Sequence, residues 1–291
     1  MKAIQIARTG GPDVLQPVEM PMPSPGPGEV LVKAQAIGVN YFDTLIRTGR
    51  YRWMPKLPFV PGNEMSGRVE ALGSGVRHLA IGQRVFVAGY EIGNRGGLYA
   101  EYAAVPEAAA WPLPDAVGAD EATALTNYQL AWILLHHAAR GIELVRARGA
   151  THALDHRTES ITERVLALTD GRGADIVFDH IAGRSLIESV RMVAPLGMVV
   201  SYAALGGLPD TDLFAAMRSN IEKSPAVRCF TMHTYDHMEE PRREAMTRAV
   251  ALLADGAARP VIAACLPLAE AHRAHSLIEQ RTAMGKIILK P

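Results

Sequence analysis

Asp179 and His180 end the apolar, strand-like run Ala174–His180. Strand ends of an open α/β sheet face its ligand crevice, so the pair is placed to touch a bound cofactor. A satisfied histidine at a strand terminus is the alternative. Asn40 and Asp43 stand three residues apart after Gly38-Val39. An asparagine there either donates its amide to a ligand or satisfies local backbone groups at a turn. Asp43 either lines the same site or serves structural hydrogen bonds. Tyr51, among Arg50, Arg52 and Trp53, either orients a ligand or helps relay a proton, or it simply packs. His136-His137 reads as a surface or interface pair rather than a metal site. Cys229 and Cys265 are the only cysteines and lack CxxC spacing, so no structural zinc lobe is expected.

A grip on a dinucleotide needs strand, GxGxxG and helix in that order, with a selecting residue about twenty positions on. No stretch supplies it. Gly26-Pro27-Gly28 lies in a proline loop, and Gly73-Ser74-Gly75 lies among short strands. Gly171-Arg172-Gly173 precedes a strand, and Gly206-Gly207 follows one without starting the motif.

The elements that must position these groups divide the chain in two. Its 291 residues suit two domains. Up to about residue 117 it is β-rich, with runs Val30–Ala36, Ser66–Ala71, Arg84–Ala88 and Ala100–Val105 between Gly/Pro punctuation. Residues 257–291 carry a strand-like run, a helix over Leu268–Gln280 and a last strand Lys286–Lys290. Between them, 118–256 opens with a helix over Asp120–Ala139, whose apolar residues recur at three and four. Strands Ala153–His156, Ala174–His180, Met198–Ala203 and Val227–Met232 then alternate with helices over Thr158–Thr169 and Arg184–Ala194 and one before Val227. That pattern predicts parallel strands with right-handed crossovers. Thirty acidic and thirty basic residues leave no footprint for nucleic acid. No apolar run approaches a membrane span, and Met1–Ile6 reads as a strand rather than a signal peptide. A cytoplasmic protein with no membrane partner is expected.

Gly38-Val39-Asn40-Tyr41-Phe42-Asp43, Arg47-Thr48-Gly49-Arg50-Tyr51, Val60-Pro61-Gly62-Asn63-Glu64 with Gly67, and Gly96-Gly97-Leu98-Tyr99-Ala100-Glu101-Tyr102 follow one another along the first part of the chain. Asp175–Asp179 and Gly285-Lys286-Ile287-Ile288-Leu289 follow later. In that order they resemble the zinc-independent quinone oxidoreductase (zeta-crystallin-like) branch of the medium-chain dehydrogenase/reductase superfamily. The resemblance implies an α/β protein with a GroES-like β-rich catalytic domain (1–117, completed by 257–291) and a shortened Rossmann-like parallel-sheet domain (118–256). Zinc-dependent relatives carry cysteine where Asn40 stands and histidine where Asn63 stands. A neutral amide is a poor zinc ligand, so no metal is expected. The implied activity is hydride transfer from NADPH to a quinone or an α,β-unsaturated carbonyl, a small-molecule substrate. The implied catalytic residues are Asn40, Asp43 and Tyr51. The implied NADP contacts are Asn127, Asp179, His180, Tyr202, Phe230 and Lys286. Such relatives commonly form homodimers through an edge strand of the cofactor domain.

One departure from the family pattern bears on all of this. Ala139-Arg140-Gly141 runs directly into Ile142–Ala150, which resembles the end of the second helix of the cofactor domain. About forty residues are missing, roughly one βαβ unit, and the glycine loop lies among them. Weak or absent cofactor binding is therefore expected. The remaining strands have one legal closure, with 153–156 directly beside 174–180, and the helix over 120–148 would cover the second face of that sheet. The alternative function is a catalytically inactive paralogue or deletion variant acting as a binding or scaffold protein.

Overall fold

The computed structural model describes residues 1–93, 95–138, 151–152, 154–156 and 158–291. The junction at 139–150 lies outside the described residues. In chain order the strands are β1 (Lys2–Gln5), β2 (Gln16–Glu19), β3 (Glu29–Val39), β4 (Glu64–Leu72), β5 (Arg84–Ala88), β6 (Tyr102–Pro106), β7 (Ala110–Pro112), β8 (Ala174–Asp179), β9 (Val193–Ser201), β10 (Ala226–Cys229), β11 (Ile262–Pro267) and β12 (Lys286–Lys290). Residue contacts divide the chain into a β-rich unit, Met1–Tyr128 with Met246–Pro291, and a parallel-sheet unit, Gln129–Ala245. Among the described residues no helix is long and apolar enough to cross a membrane.

The β-rich unit is organised by β3, eleven residues long, which carries three partners. Strand β4 runs antiparallel along one side, whereas β6 and β12 share the other: β6 takes Glu29–Lys33 and β12 takes Ile37–Val39. Strand β11 then adds parallel to β12, and β5 and β7 continue beyond β4. Ile4, Ile6, Val30, Val32, Ile37, Met65, Val87, Leu98, Ile287 and Leu289 form one buried cluster of this unit. The C-terminal tail therefore completes the N-terminal sheet. A second buried cluster packs Phe86, Trp111, Val117, Ala122 and Leu125 with Met246, Ala249 and Leu253. It draws 118–128 and 246–256 into this unit, although their sequence texture belongs with the other one.

The second unit holds the parallel order β10-β9-β8. Leu186, Val190, Val193 and Val199 pack with Leu213 and Met217 on one face. On the other, Leu130 and Leu134 pack with Ile176, Phe178, Met198 and Val200. These two leucines belong to the helical segment Leu125–Ile133 and to the π-helical turn Leu134–Ala138 that follows it; residues 139–148 of the helix expected over this face lie outside the described residues.

The expected strand 153–156 is not seen. Ala153 lies outside the described residues, Leu154 and Asp155 are irregular, and His156 is in a turn. Among the described residues β8 pairs with β9 alone. The reason is local. The Asp155 carbonyl accepts N–H bonds from Thr158 (3.0 Å) and Glu159 (2.9 Å), and its own N–H donates to Glu159 Oε1 at 3.3 Å. An aspartate that satisfies its backbone in a turn has no need of a ladder.

Candidate active site

Two registers converge on the end of β3. Gly38 lies opposite Glu64, the first residue of β4. Val39 lies opposite Ile287 of β12, which brings Lys286 beside Asn40. Gly38 is required by the close approach that results. A Cβ there would collide with Glu64 Oε2 and fall 2.9 Å from Lys286 Cε and 3.1 Å from Thr123 Cβ. The motif Gly38-Val39-Asn40 therefore has a packing cause: only hydrogen fits beneath an ion pair that crosses the strand.

The Lys286 ammonium sits in a ring of oxygens. It donates to Asn40 Oδ1 at 2.8 Å, to Asn127 Oδ1 at 3.1 Å and to Glu64 Oε2. The Lys286 side chain is 8% exposed and that of Glu64 is 0%. Burial pushes the Glu64 carboxyl above the usual carboxylate range; the Lys286 charge and hydrogen bonds from Lys286 and Asn40 pull it back. A buried pair of this kind is costly to break from one side, about 3–5 kcal/mol, because the surviving charge is stranded.

Asn40 caps the helix Tyr41–Arg47 from an extended conformation. Its N–H donates to Asp43 Oδ2 at 2.9 Å. From Asp43 a buried chain of hydrogen bonds continues. Tyr99 Oη lies 3.2 Å from Asp43 Oδ2, His275 Nε2 lies 3.2 Å from Tyr99 Oη, and Arg47 Nε lies 3.2 Å from His275 Nδ1. Arg47 also donates to the Gly10 carbonyl and to Glu279. Directions follow from the donor inventory. Arginine accepts nothing, so His275 Nδ1 accepts; the neutral ring then donates Nε2–H to Tyr99, and Tyr99 donates to Asp43. Burial, aided by the Arg47 charge, holds the His275 pKa down at about 3. Burial likewise pushes Asp43 up to about 7, against the Asn40 N–H bond and with the help of the Glu64 charge. Asp43 Oδ1 and Glu64 Oε1 are buried without a hydrogen-bond partner.

Of the sequence-nominated residues, the structure brings Asn40, Asn127 and Lys286 into one cluster and puts Asp43 one backbone hydrogen bond away. Glu64, quoted in a motif but not nominated, is its anionic centre. The signal for it was a glutamate at the head of an apolar strand, a buried charge in need of a cation. Tyr51 is 8% exposed and packs edge-on against Phe42 (centroids 4.6 Å) and beside Trp53 (5.6 Å).

The remaining nominated residues lie in the parallel-sheet unit. Asp179 is buried, and its Oδ1 accepts from the Ile181 and Ala182 N–H groups at 2.8 and 3.0 Å and from the Ser185 hydroxyl at 3.4 Å. That carboxylate organises the turn after β8. His180 and Tyr202 follow the carboxyl ends of β8 and β9 with ring centroids 6.0 Å apart. Phe230 packs against Ile133 and Tyr235. His136 stacks on Trp132 at 3.8 Å.

Among the described residues no group of three or more His, Cys, Asp or Glu is placed to hold a metal ion. At Asn40 an ammonium occupies the amide oxygen and would repel a dication.

Residues 26–115 match the alcohol dehydrogenase GroES-like domain family, and residues 148–289 match the zinc-binding dehydrogenase family. Across 330 aligned positions the chain is 32% identical to a quinone oxidoreductase of Pseudomonas aeruginosa, covering 100% of this chain and 99% of that one. Since the chain has 291 residues, at least 39 of those 330 positions have no counterpart in it. It is similar to the structure of a quinone oxidoreductase of Pseudomonas syringae pv. Tomato (28% identity, TM-score 0.84, 100% of this chain and 99% of that one). It is also similar to Escherichia coli quinone oxidoreductase complexed with NADPH (27% identity, TM-score 0.84, 100% of both chains).

Proposed function

The chain belongs to the quinone oxidoreductase branch of the medium-chain dehydrogenase/reductase superfamily, and from that premise we propose that it is a zinc-independent, NADPH-dependent reductase of a quinone or an α,β-unsaturated carbonyl, holding its dinucleotide weakly. The observation that carries the reading is Asn40. Its amide is half-buried, fixed by a charged partner, and set at the N-terminus of a helix. When hydride reaches the substrate, its carbonyl oxygen gains negative charge. A fixed amide N–H beside that oxygen stabilises the charge without reorganising. Asp43 keeps the Asn40 backbone in place, and its proton chain through Tyr99 and His275 keeps Asp43 in place. Tyr51 serves by packing against Phe42, on the first turn of the Asn40 helix.

NADPH, when bound, supplies the hydride. An open parallel sheet takes ligands at the carboxyl ends of its strands, where His180 and Tyr202 stand. The pyrophosphate end of NADPH finds no GxGxxG loop in this sequence. Such a loop offers several N–H groups, each worth about 1.5–3 kcal/mol to a charged acceptor. Losing two costs roughly three orders of magnitude in affinity at ~1.4 kcal/mol per tenfold. The alignment positions without counterpart agree with a missing segment of that size.

The second reading is a family member that binds without turnover. The unpaired outer side of β8 among the described residues favours it. Following NADPH absorbance with a benzoquinone or an enone at millimolar cofactor separates the two. Turnover that fails to saturate at micromolar NADPH supports the reductase reading, and none at any concentration overturns it.

A further inference from the structure

We propose that Lys286, with Glu64, is a positioning residue that locks the Asn40 amide so that Asn40 meets a substrate as a hydrogen-bond donor only. The two ends of an asparagine amide have nearly the same shape, so what they face is decided by their partners. An ammonium has three donors and accepts nothing, so the Asn40 atom that touches it at 2.8 Å is the oxygen. The Asn40 nitrogen then points elsewhere. The nitrogen belongs to a side chain that is only half buried, so its N–H groups are the part of the amide left to meet a ligand.

The three ammonium hydrogens are meanwhile committed to Asn40, Glu64 and Asn127, and the side chain is 8% exposed. Lys286 therefore has no donor left for a phosphate or a substrate and acts through Asn40. Its charge also polarises the amide, which strengthens the Asn40 N–H groups as donors. The arrangement selects for an acceptor oxygen such as a quinone or enone carbonyl. Gly38 belongs to the same device, because a side chain there would displace the ion pair. The sequence resemblance assigns Lys286 to the cofactor; the geometry assigns it to the amide.

The kinetic part of the test rests on the reductase reading, and the spectroscopic part does not. Lys286→Met is expected to lower kcat roughly ten- to hundred-fold, the loss typical of a disabled oxyanion donor, while NADPH Kd stays within about twofold of wild type because no cofactor contact is removed. In an Asn40→Ala background, Lys286→Met should cost nothing further, since its target is gone. Glu64→Gln with Lys286→Met removes both buried charges and serves where the single variant does not fold. Independently of activity, the wild-type protein should show an Asn40 side-chain NH2 pair in ¹H–¹⁵N spectra, assigned by its loss in Asn40→Ala. Its chemical shift should move in the charge-free double variant, because the ammonium that polarises the amide oxygen is gone. Additive losses in the Asn40→Ala background, a tenfold rise in NADPH Kd for Lys286→Met, or an unmoved Asn40 NH2 shift in the double variant would each overturn the proposal. If the wild type oxidises no NADPH with either substrate, the reductase reading falls and the NH2 shift alone decides the role of Lys286.

Discussion

Replacing Asp43 by asparagine should stabilise the protein in a way that depends on pH. In the folded chain Asp43 is fully buried. One oxygen accepts from the Asn40 N–H at 2.9 Å and from Tyr99 at 3.2 Å, and the other has no partner. Burial raises its pKa from 3.8 to about 7. Below pH ~4 the carboxyl is protonated in both folded and unfolded chains and costs nothing extra. Between pH ~4 and ~7 the unfolded chain loses the proton while the folded chain keeps it. The folded state then binds more protons, so stability falls as pH rises and levels off above ~7. About three pKa units at 1.36 kcal/mol each give at most about 4 kcal/mol. The asparagine of the variant keeps an oxygen for the two donors and does not titrate. Its amide N–H at the unpartnered position adds an offset that does not vary with pH. Urea unfolding at pH 5, 6, 7 and 8, followed by near-UV circular dichroism, should therefore show Asp43→Asn gaining on wild type by about 2–3 kcal/mol from the lowest to the highest pH. Parallel stability curves for the two proteins would refute the buried, proton-bearing Asp43.

His275 carries the opposite sign. Its folded pKa of about 3 lies below the unfolded value near 6.5, so the unfolded chain takes up a proton first as pH falls. Stability should drop by up to about 5 kcal/mol between pH 6.5 and 3, and His275→Asn, weaker at neutral pH, should show a shallower acid limb in the same unfolding assay. Gly38→Ala should destabilise by about 1–3 kcal/mol, the usual cost of overpacking. It should also lower kcat with little change in NADPH Kd, because the new methyl meets Glu64 and Lys286 rather than the cofactor; thermal unfolding and steady-state kinetics check both halves.

What was legible in the sequence follows the range of the signal. Strand Arg84–Ala88 and strand Lys286–Lys290 appear with the bounds their composition predicts, since branched and aromatic residues between turn signals need no tertiary help. Among the described residues 154–156 no strand is seen, and Asp155 bonds its own turn, a choice that composition alone does not reveal. Helix Glu239–Ala254 escaped a periodicity reading. Pro241 lies in its first turn, where proline is tolerated, although in sequence it reads as a breaker. The site was half legible. Asn40, Asn127 and Lys286 could each be nominated by resemblance, but their meeting depends on the register of β12 and β4 against β3, a property of pairing. Glu64 and His275 went unnominated because their roles are set by partners 222 and 228 residues away in the chain.

On the proposed reading the chain is a reductase that binds a carbonyl through the Asn40 amide and holds its dinucleotide weakly. The sharpest test is single-turnover NADPH oxidation with a benzoquinone, measured as the cofactor is raised from micromolar to millimolar. The rate should climb almost linearly through the millimolar range and fall at least tenfold in Asn40→Ala. A rate that saturates at micromolar NADPH, or one indifferent to Asn40, would show that such a reductase is not what this chain encodes.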